Sequence, residues 1–415
     1  MRASPWAPIA LAILLGACSS GAASTAPTGT SVVVPPATST NPPSTTTTVP
    51  VTSEAPTSTT PPTTTSTTPA TTTPATTIVA SADLKLTVVG KIGGSITPKS
   101  VAASPTGLIL AQNMMYRHSI TVYDRSGALL HTIADSVDLH AFGFAKYSAG
   151  QTYKGAPVEA AFTPDGSHAY VTNYWMSGPG FTHPGSDICA PRPDLDTSFV
   201  YRIDLVTFRV DQVIAVGSVP KFVAVSPDGR WVLVANWCSY DLSIIDTTSG
   251  TEIKRLHLGP YPRGIAIDAA STTAYVAVMG TRDVATIKLA DDTLGWIRNV
   301  GQDPRHVVLS PDGAFLYVTN NGENTVAKVD LATGKVIARV GTGTAPRSMT
   351  IAPDGTAIYV VNYFSNTMAK VRTSDMTVLQ VVATPVKPIG ITYEPVTRTV
   401  WVACYSGVIV LLREG

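Results

Sequence analysis

From residue 84 onward the chain alternates short apolar runs with polar turns, and the pattern repeats. Apolar, β-branched runs stand at Trp231–Asn236, Leu316–Asn320 and Ile358–Asn362. The second and third follow Ser310-Pro311-Asp312-Gly313 and Ala352-Pro353-Asp354-Gly355, and the first follows Ser226-Pro227-Asp228-Gly229. In such a turn Pro sets φ, Asp bonds its own backbone and Gly accepts positive φ. A further run follows, Leu242–Asp246 or Thr325–Asp330, and then a turn such as Thr333-Gly334-Lys335 leads into Val336–Val340. Each unit starts at a proline, and Pro220, Pro262, Pro304, Pro346 and Pro388 are all 42 residues apart. Four short antiparallel strands at a period of roughly 40–45 residues predict the blades of a propeller. Pro157 with Thr163-Pro164-Asp165-Gly166, and Pro98 with Ser104-Pro105-Thr106-Gly107, begin two earlier units. The prediction is an all-β, seven-bladed β-propeller of four-stranded antiparallel blades. The last unit has room for three strands, ending at Val408–Leu412. The strand-like stretch Leu84–Ile92 is predicted to supply its fourth and close the ring, removing an open edge.

The second strand of each unit carries a signature. Tyr170-Val171-Thr172-Asn173 and Tyr317-Val318-Thr319-Asn320 resemble the YVTN family of β-propeller repeats, and Tyr359-Val360-Val361-Asn362 is close to it. Leu233-Val234-Ala235-Asn236, Tyr275-Val276-Ala277-Val278 and Trp401-Val402-Ala403-Cys404 are degenerate copies. The resemblance implies the fold. It implies little about function, because that family mixes binding proteins, uncharacterised surface proteins and relatives of lactone-cleaving enzymes.

The first 80 residues are different material. Arg2 followed by Ile9–Leu15 reads as an export signal whose apolar stretch is too short to span a membrane. It ends in Leu15-Gly16-Ala17-Cys18, which resembles a bacterial lipobox, so residues 1–17 are expected as a lipoprotein signal peptide and Cys18 as the lipidated residue. Between residues 21 and 80, 23 positions are Thr, 11 Pro and 7 Ser, with Glu54 the lone charge. That composition cannot bury enough apolar surface to offset ordering entropy, so 18–80 is expected as a disordered stalk. Residues 81–415 form the propeller. The expected address is the bacterial cell envelope, outside the cytoplasm and held to a membrane by lipid. A closed ring needs no second copy, so a monomer is expected. Charge is balanced, 29 Lys and Arg against 28 Asp and Glu, which argues against a polycationic nucleic-acid coat.

Antiparallel order places the blade-entry prolines and the loops between second and third strands at one end, and the Pro-Asp-Gly turns at the other. The first end holds the irregular, aromatic material where ligand sites arise on rigid scaffolds. Lys99, Lys221, Arg263, Arg305 and Arg347 follow five of the seven prolines and are expected to ring the channel there. Two readings stand. The cations bond neighbouring carbonyls or pair with Asp241 and Asp283, or they answer an anionic ligand. Trp175, Trp237, Tyr240 and Tyr363 crowd the same rim, and cations beside exposed rings suit sugars, aromatic anions or bases.

Blade two departs most from the repeat. Its loop between second and third strands is about 21 residues longer than its counterparts. Cys189 in this loop and Cys238 in the equivalent loop of blade three are predicted to form a disulfide pinning a lid over the rim, with Cys404 buried and free. Glu159 and His306 hold equivalent channel positions and are the acid–base candidates, with an unrelated polar pair as the alternative. No metal is expected, because the inner strands show Lys and Arg where a propeller lactonase needs converging Asp, Glu, Asn or His. No cofactor is expected. The expected function is a ligand-binding or interaction module, its partner an anionic glycan, a cell-wall polymer or a protein. The alternatives are a lactonase-like hydrolase working in the funnel and single-stranded nucleic-acid binding, the latter weakened by the near-zero net charge.

Overall fold

The computed structural model describes residues 79–415; the expected leader, Cys18 and nearly all of the stalk lie outside them. Seven antiparallel sheets follow one another along the chain. Their inner strands are Pro98–Ala103, Tyr153–Phe162, Pro220–Val225, Pro262–Ile267, Pro304–Leu309, Pro346–Ile351 and Pro388–Glu394, so six begin on the periodic proline and the second runs through Pro157. Six blades have four strands. Blade two has a fifth, the two residues Ser136–Val137, paired to Tyr153 and Lys154 of its lengthened inner strand.

The ring closes as predicted. Leu86–Ile92 pairs antiparallel with the C-terminal strand Val408–Glu414, so the last blade is built from both ends of the described chain. A buried polar cluster ties that closure to blade six. Glu414 accepts from Lys370 Nζ at 2.8 Å, from Tyr393 Oη at 2.9 Å and from Tyr359 Oη. Lys370 also donates to the carbonyls of Ser81 and Leu84. Neither member of the Lys370–Glu414 pair is solvent-exposed. Removing Glu414 would leave Lys370 an uncompensated buried charge, at a cost of about 3–5 kcal/mol, whereas Glu414 has a second cation in Arg398, at 3.3 Å.

The repeat signature is explained by burial on both faces. A second strand is covered on each side by neighbouring blades, so it is apolar at consecutive positions rather than at alternate ones. Tyr317, Val318, Thr319 and Asn320 are all buried. The repeat Asn anchors the crossover into its own blade: Asn320 Nδ2 donates to the Val300 carbonyl and Asn362 Nδ2 to the Thr342 carbonyl, both at 3.0 Å.

Blade entry is conformationally demanding. Val219, Tyr261, Asp303, Ala345 and Lys387 each precede a blade-entry proline with φ between 52° and 63°. A non-glycine residue in this region costs about 1–3 kcal/mol. Each carbonyl is held by a backbone N–H from the loop after the second strand, those of Trp237, Met279, Asn321, Tyr363 and Tyr405 respectively. Immediately after the proline the ladder skips one residue in five blades and two in blades four and six. A bulge leaves the extra residue unpaired and re-aims its side chain. The bulged position is the one carrying Lys99, Lys221, Arg263, Arg305 and Arg347.

Candidate functional site

Those five cations, from five different blades, line one cavity of about 720 Å³ at the blade-entry end. They lie deep: Arg263 is 4% exposed, Lys99 and Lys221 6%, Arg305 7%. Burial and the Arg263 guanidinium hold Lys99 well below the ordinary lysine range, and the same two causes bring Lys221 down to about 7. Burial, then Arg263 and Arg347, also lowers Arg305.

The carboxylate that enters the ring comes from the long loop of blade two. Asp187 accepts from Lys221 Nζ and from Tyr174 Oη, the latter at 2.9 Å. Its side chain is largely exposed at the mouth; partial burial opposes its ionisation, but Lys221, the Tyr174 hydroxyl and Arg263 together outweigh this and hold it at about 2. The expected partners Asp241 and Asp283 do not serve the ring. Asp241 accepts from Asn236 Nδ2 at 2.7 Å and Ser239 Oγ at 3.0 Å; Asp283 accepts from Arg298 Nη1 at 2.7 Å. Both are taken up by contacts within their own turn or outer strand.

The loop is pinned as predicted. Cys189 and Cys238 form a disulfide with Cα atoms 5.5 Å apart, and Cys404 is buried and free. Three further bonds hold it: Trp237 Nε1 donates to the Asp187 carbonyl at 3.1 Å, and Tyr240 Oη and Tyr261 Oη both donate to the Cys189 carbonyl, at 2.6 and 3.0 Å. Tyr240 therefore anchors the loop and does not line the cavity, contrary to its expected role. Trp175, Trp237 and Tyr363 do line it. The last two rings are not open platforms. Lys221 Nζ sits 3.7 Å from the Trp237 ring centroid, and Tyr261 stacks on Trp237 at 4.4 Å. The Arg347 guanidinium sits 3.5 Å from the Tyr363 ring. These rings position the cations.

Glu159 and His306 lie one position further along the inner strands and line a second cavity of about 500 Å³ that opens toward the Pro-Asp-Gly turns. The equivalent residues in blades four and seven are Gly264 and Gly390. A Cβ on Gly264 would lie 2.7 Å from His306 Cα, and one on Gly390 2.6 Å from Ser100 Cα, so adjacent inner strands touch there and only glycine fits. Burial raises Glu159 to about 7 against the pull of Lys99 and Arg263. Burial, then Arg263 and Arg305, hold His306 down at about 3, and its Nδ1 has no protein partner. At neutral pH His306 is an uncharged imidazole packed edge-on against Phe222, with ring centroids 5.1 Å apart. Among the described residues the His/Asp cluster of metal-ligating geometry is His168, Asp204 and Asp211, away from the inner strands, and Arg202 already bonds both oxygens of Asp211 at 2.9 and 3.0 Å.

Sequence reasoning gave no site role to Asp187 or Met279. Asp187 had one available signal: it is the only acid between Trp175 and Cys189, two residues before the pinning cysteine. Nothing in the repeat marks Met279, whose Sδ lies 3.5 Å from Arg305 Nη1.

A family model described as a YNCE-like beta-propeller matches residues 203–390, which span blades three to six. No curated protein matches the sequence. Among solved structures the chain is similar to Kuenenia stuttgartiensis hydrazine synthase, with a TM-score of 0.60 and 20% identity over 78% of this chain and 97% of that one. At that identity the likeness is one of fold. The ring of seven blades, the family match across its centre and this structural likeness make the chain a β-propeller protein.

Proposed function

We propose that this protein is a ligand-binding propeller of the bacterial cell envelope, and that its ligand is an anion held in the cationic cavity at the blade-entry end. The observation that carries this is Arg305: its guanidinium is buried, its Nε has no protein partner, and its one hydrogen bond is to a thioether. Burying such a charge is costly unless something answers it. The YVTN-like repeats and the lipid anchor at Cys18 belong to this reading; the envelope address rests on the leader and the Thr/Pro-rich stretch in the sequence. The stalk holds the domain off the membrane, where the oxidising milieu maintains the Cys189–Cys238 clamp.

Thermal unfolding of the protein against a panel of anions tests the reading. A ligand at 100 times its Kd stabilises by about 2.7 kcal/mol and moves the midpoint upward. A midpoint that no anion moves would count against it. Hydrolase and nucleic-acid readings lack a comparable observation: His306 is held neutral, and the Trp237 and Tyr363 rings have faces covered by the protein's own cations.

A further inference from the structure

The class of anion can be narrowed, given that the cavity binds one. One acid at the channel forms an ion pair with the ring, Asp187 with Lys221, and Glu159 sits near Lys99 and Arg263 without an ion pair to either. Arg263, Arg305 and Arg347 line the same cavity and have no carboxylate within ion-pairing distance among the described residues. Arg305 Nε and Arg347 Nε are both buried without a protein partner. Guanidinium forks match planar or tetrahedral oxyanions with paired hydrogen bonds. We propose that the ligand is a compact oxyanion bearing at least two negative charges, a di- or tricarboxylate or a phosphate-type group, seated on Arg263, Arg305 and Arg347.

Size and surface select a compact ligand over a chain. The cavity's volume of about 720 Å³ falls within the range that holds a small molecule. The side chains of Arg263 and Arg305 are buried behind the rim, and a polymer lying across the rim would not reach them. The blade-two loop is bound at the mouth by a disulfide and by Trp237, Tyr240 and Tyr261, so it narrows the entrance. Sugars need open aromatic faces, and those of Trp237 and Tyr363 carry Lys221 and Arg347. Three guanidinium groups without an ion pair among the described residues favour a di- or trianion over a monoanion. Asp187 contributes here too, since its fixed negative charge at the mouth repels an extended polyanion more than it does a short one.

Isothermal titration of the protein with citrate, pyrophosphate, acetate and dextran sulfate at physiological salt tests this. Citrate or pyrophosphate is expected to bind one per chain, with acetate at least 100-fold weaker. Arg305→Gln and Arg263→Gln are each expected to weaken that binding at least tenfold, with circular dichroism confirming that both variants are folded. Acetate binding as tightly as citrate and pyrophosphate, or dextran sulfate binding more tightly than either and losing affinity in both variants, would overturn the compact, multivalent class while leaving anion binding intact. No binding by any of the four would overturn both.

Discussion

Replacing Arg305 with Met separates a binding role for the cation ring from a structural one. A structural arginine stabilises the fold, and its removal costs stability. A guanidinium kept for a ligand is a liability in the empty protein, and its removal is a gain. Arg305 is 7% exposed, donates only to Met279 Sδ, and faces Arg263 and Arg347 as repulsive neighbours. Swapping buried charges for apolar side chains of similar volume stabilises by roughly 1–4 kcal/mol, and Met fills most of the arginine stem's space. An unfolding entropy of about 2.1 cal/mol/K per residue gives the described propeller a total near 0.7 kcal/mol/K, so the expected rise in midpoint is about 1.5–6 °C. The assay is differential scanning calorimetry of both proteins without added polyvalent anions, followed by the same scans in citrate. The variant should unfold at higher temperature in the first series and respond less in the second. A midpoint that falls in Arg305→Met would refute the reasoning and show that the guanidinium is holding neighbouring blades together.

Three further outcomes follow from the same structure. Anion binding should take up protons near pH 7.5, because an arriving negative charge raises Lys221, at about 7 in the empty cavity, and Glu159, also at about 7 in the neighbouring one; affinity should therefore fall as pH rises from 6 to 8.5, and titrations in buffers of different ionisation enthalpy would report the uptake. Asp135→Asn should stabilise the protein at pH 7 and leave it unchanged near pH 3: both carboxylate oxygens of Asp135 are buried without a partner, Tyr201 Oη donates instead to Met176 Sδ at 3.7 Å, and burial raises the acid from 3.8 to about 8. A raised folded-state value contributes stability below pH 3.8 that is lost as pH rises toward 8, by about 4 kcal/mol at pH 7, so equal stabilities of variant and parent at both pH values would show that Asp135 is not protonated in the fold. Cys189→Ser should cost up to about 4 kcal/mol by the loop-entropy relation for a 49-residue separation, and should raise the anion's dissociation rate, because the loop carrying Asp187 is then held only by hydrogen bonds; an unchanged rate in stopped-flow displacement would show that the loop does not gate the cavity.

Much of this molecule is legible in one dimension because its repeat is local. Each blade's four strands are consecutive, its turns are written as Pro-Asp-Gly, and its second strand is buried on both faces, so the period, the strand ends and the blade count all follow from residue spacing. The closing strand is legible for the same reason, as a strand missing at one end and left over at the other. The position of the five cations could also be read, since each follows a proline at a fixed place in the repeat.

What those cations face was decided only by the folded ring. Their inward aim comes from a bulge that the ladder imposes after each proline. Their neighbours come from other blades, tens to hundreds of residues away, so no spacing rule assigns Asp187 to Lys221 or Met279 to Arg305. Asp241 and Asp283 looked like partners because they lie at the right end of the right loops, yet each is taken by its own turn or outer strand. The aromatic residues looked like an exposed platform because composition cannot say which face of a ring is covered; packing put Lys221 on Trp237 and Arg347 on Tyr363. Local periodicity determined the scaffold. Convergence of distant side chains on one axis determined the site, and that convergence exists only once the ring has closed.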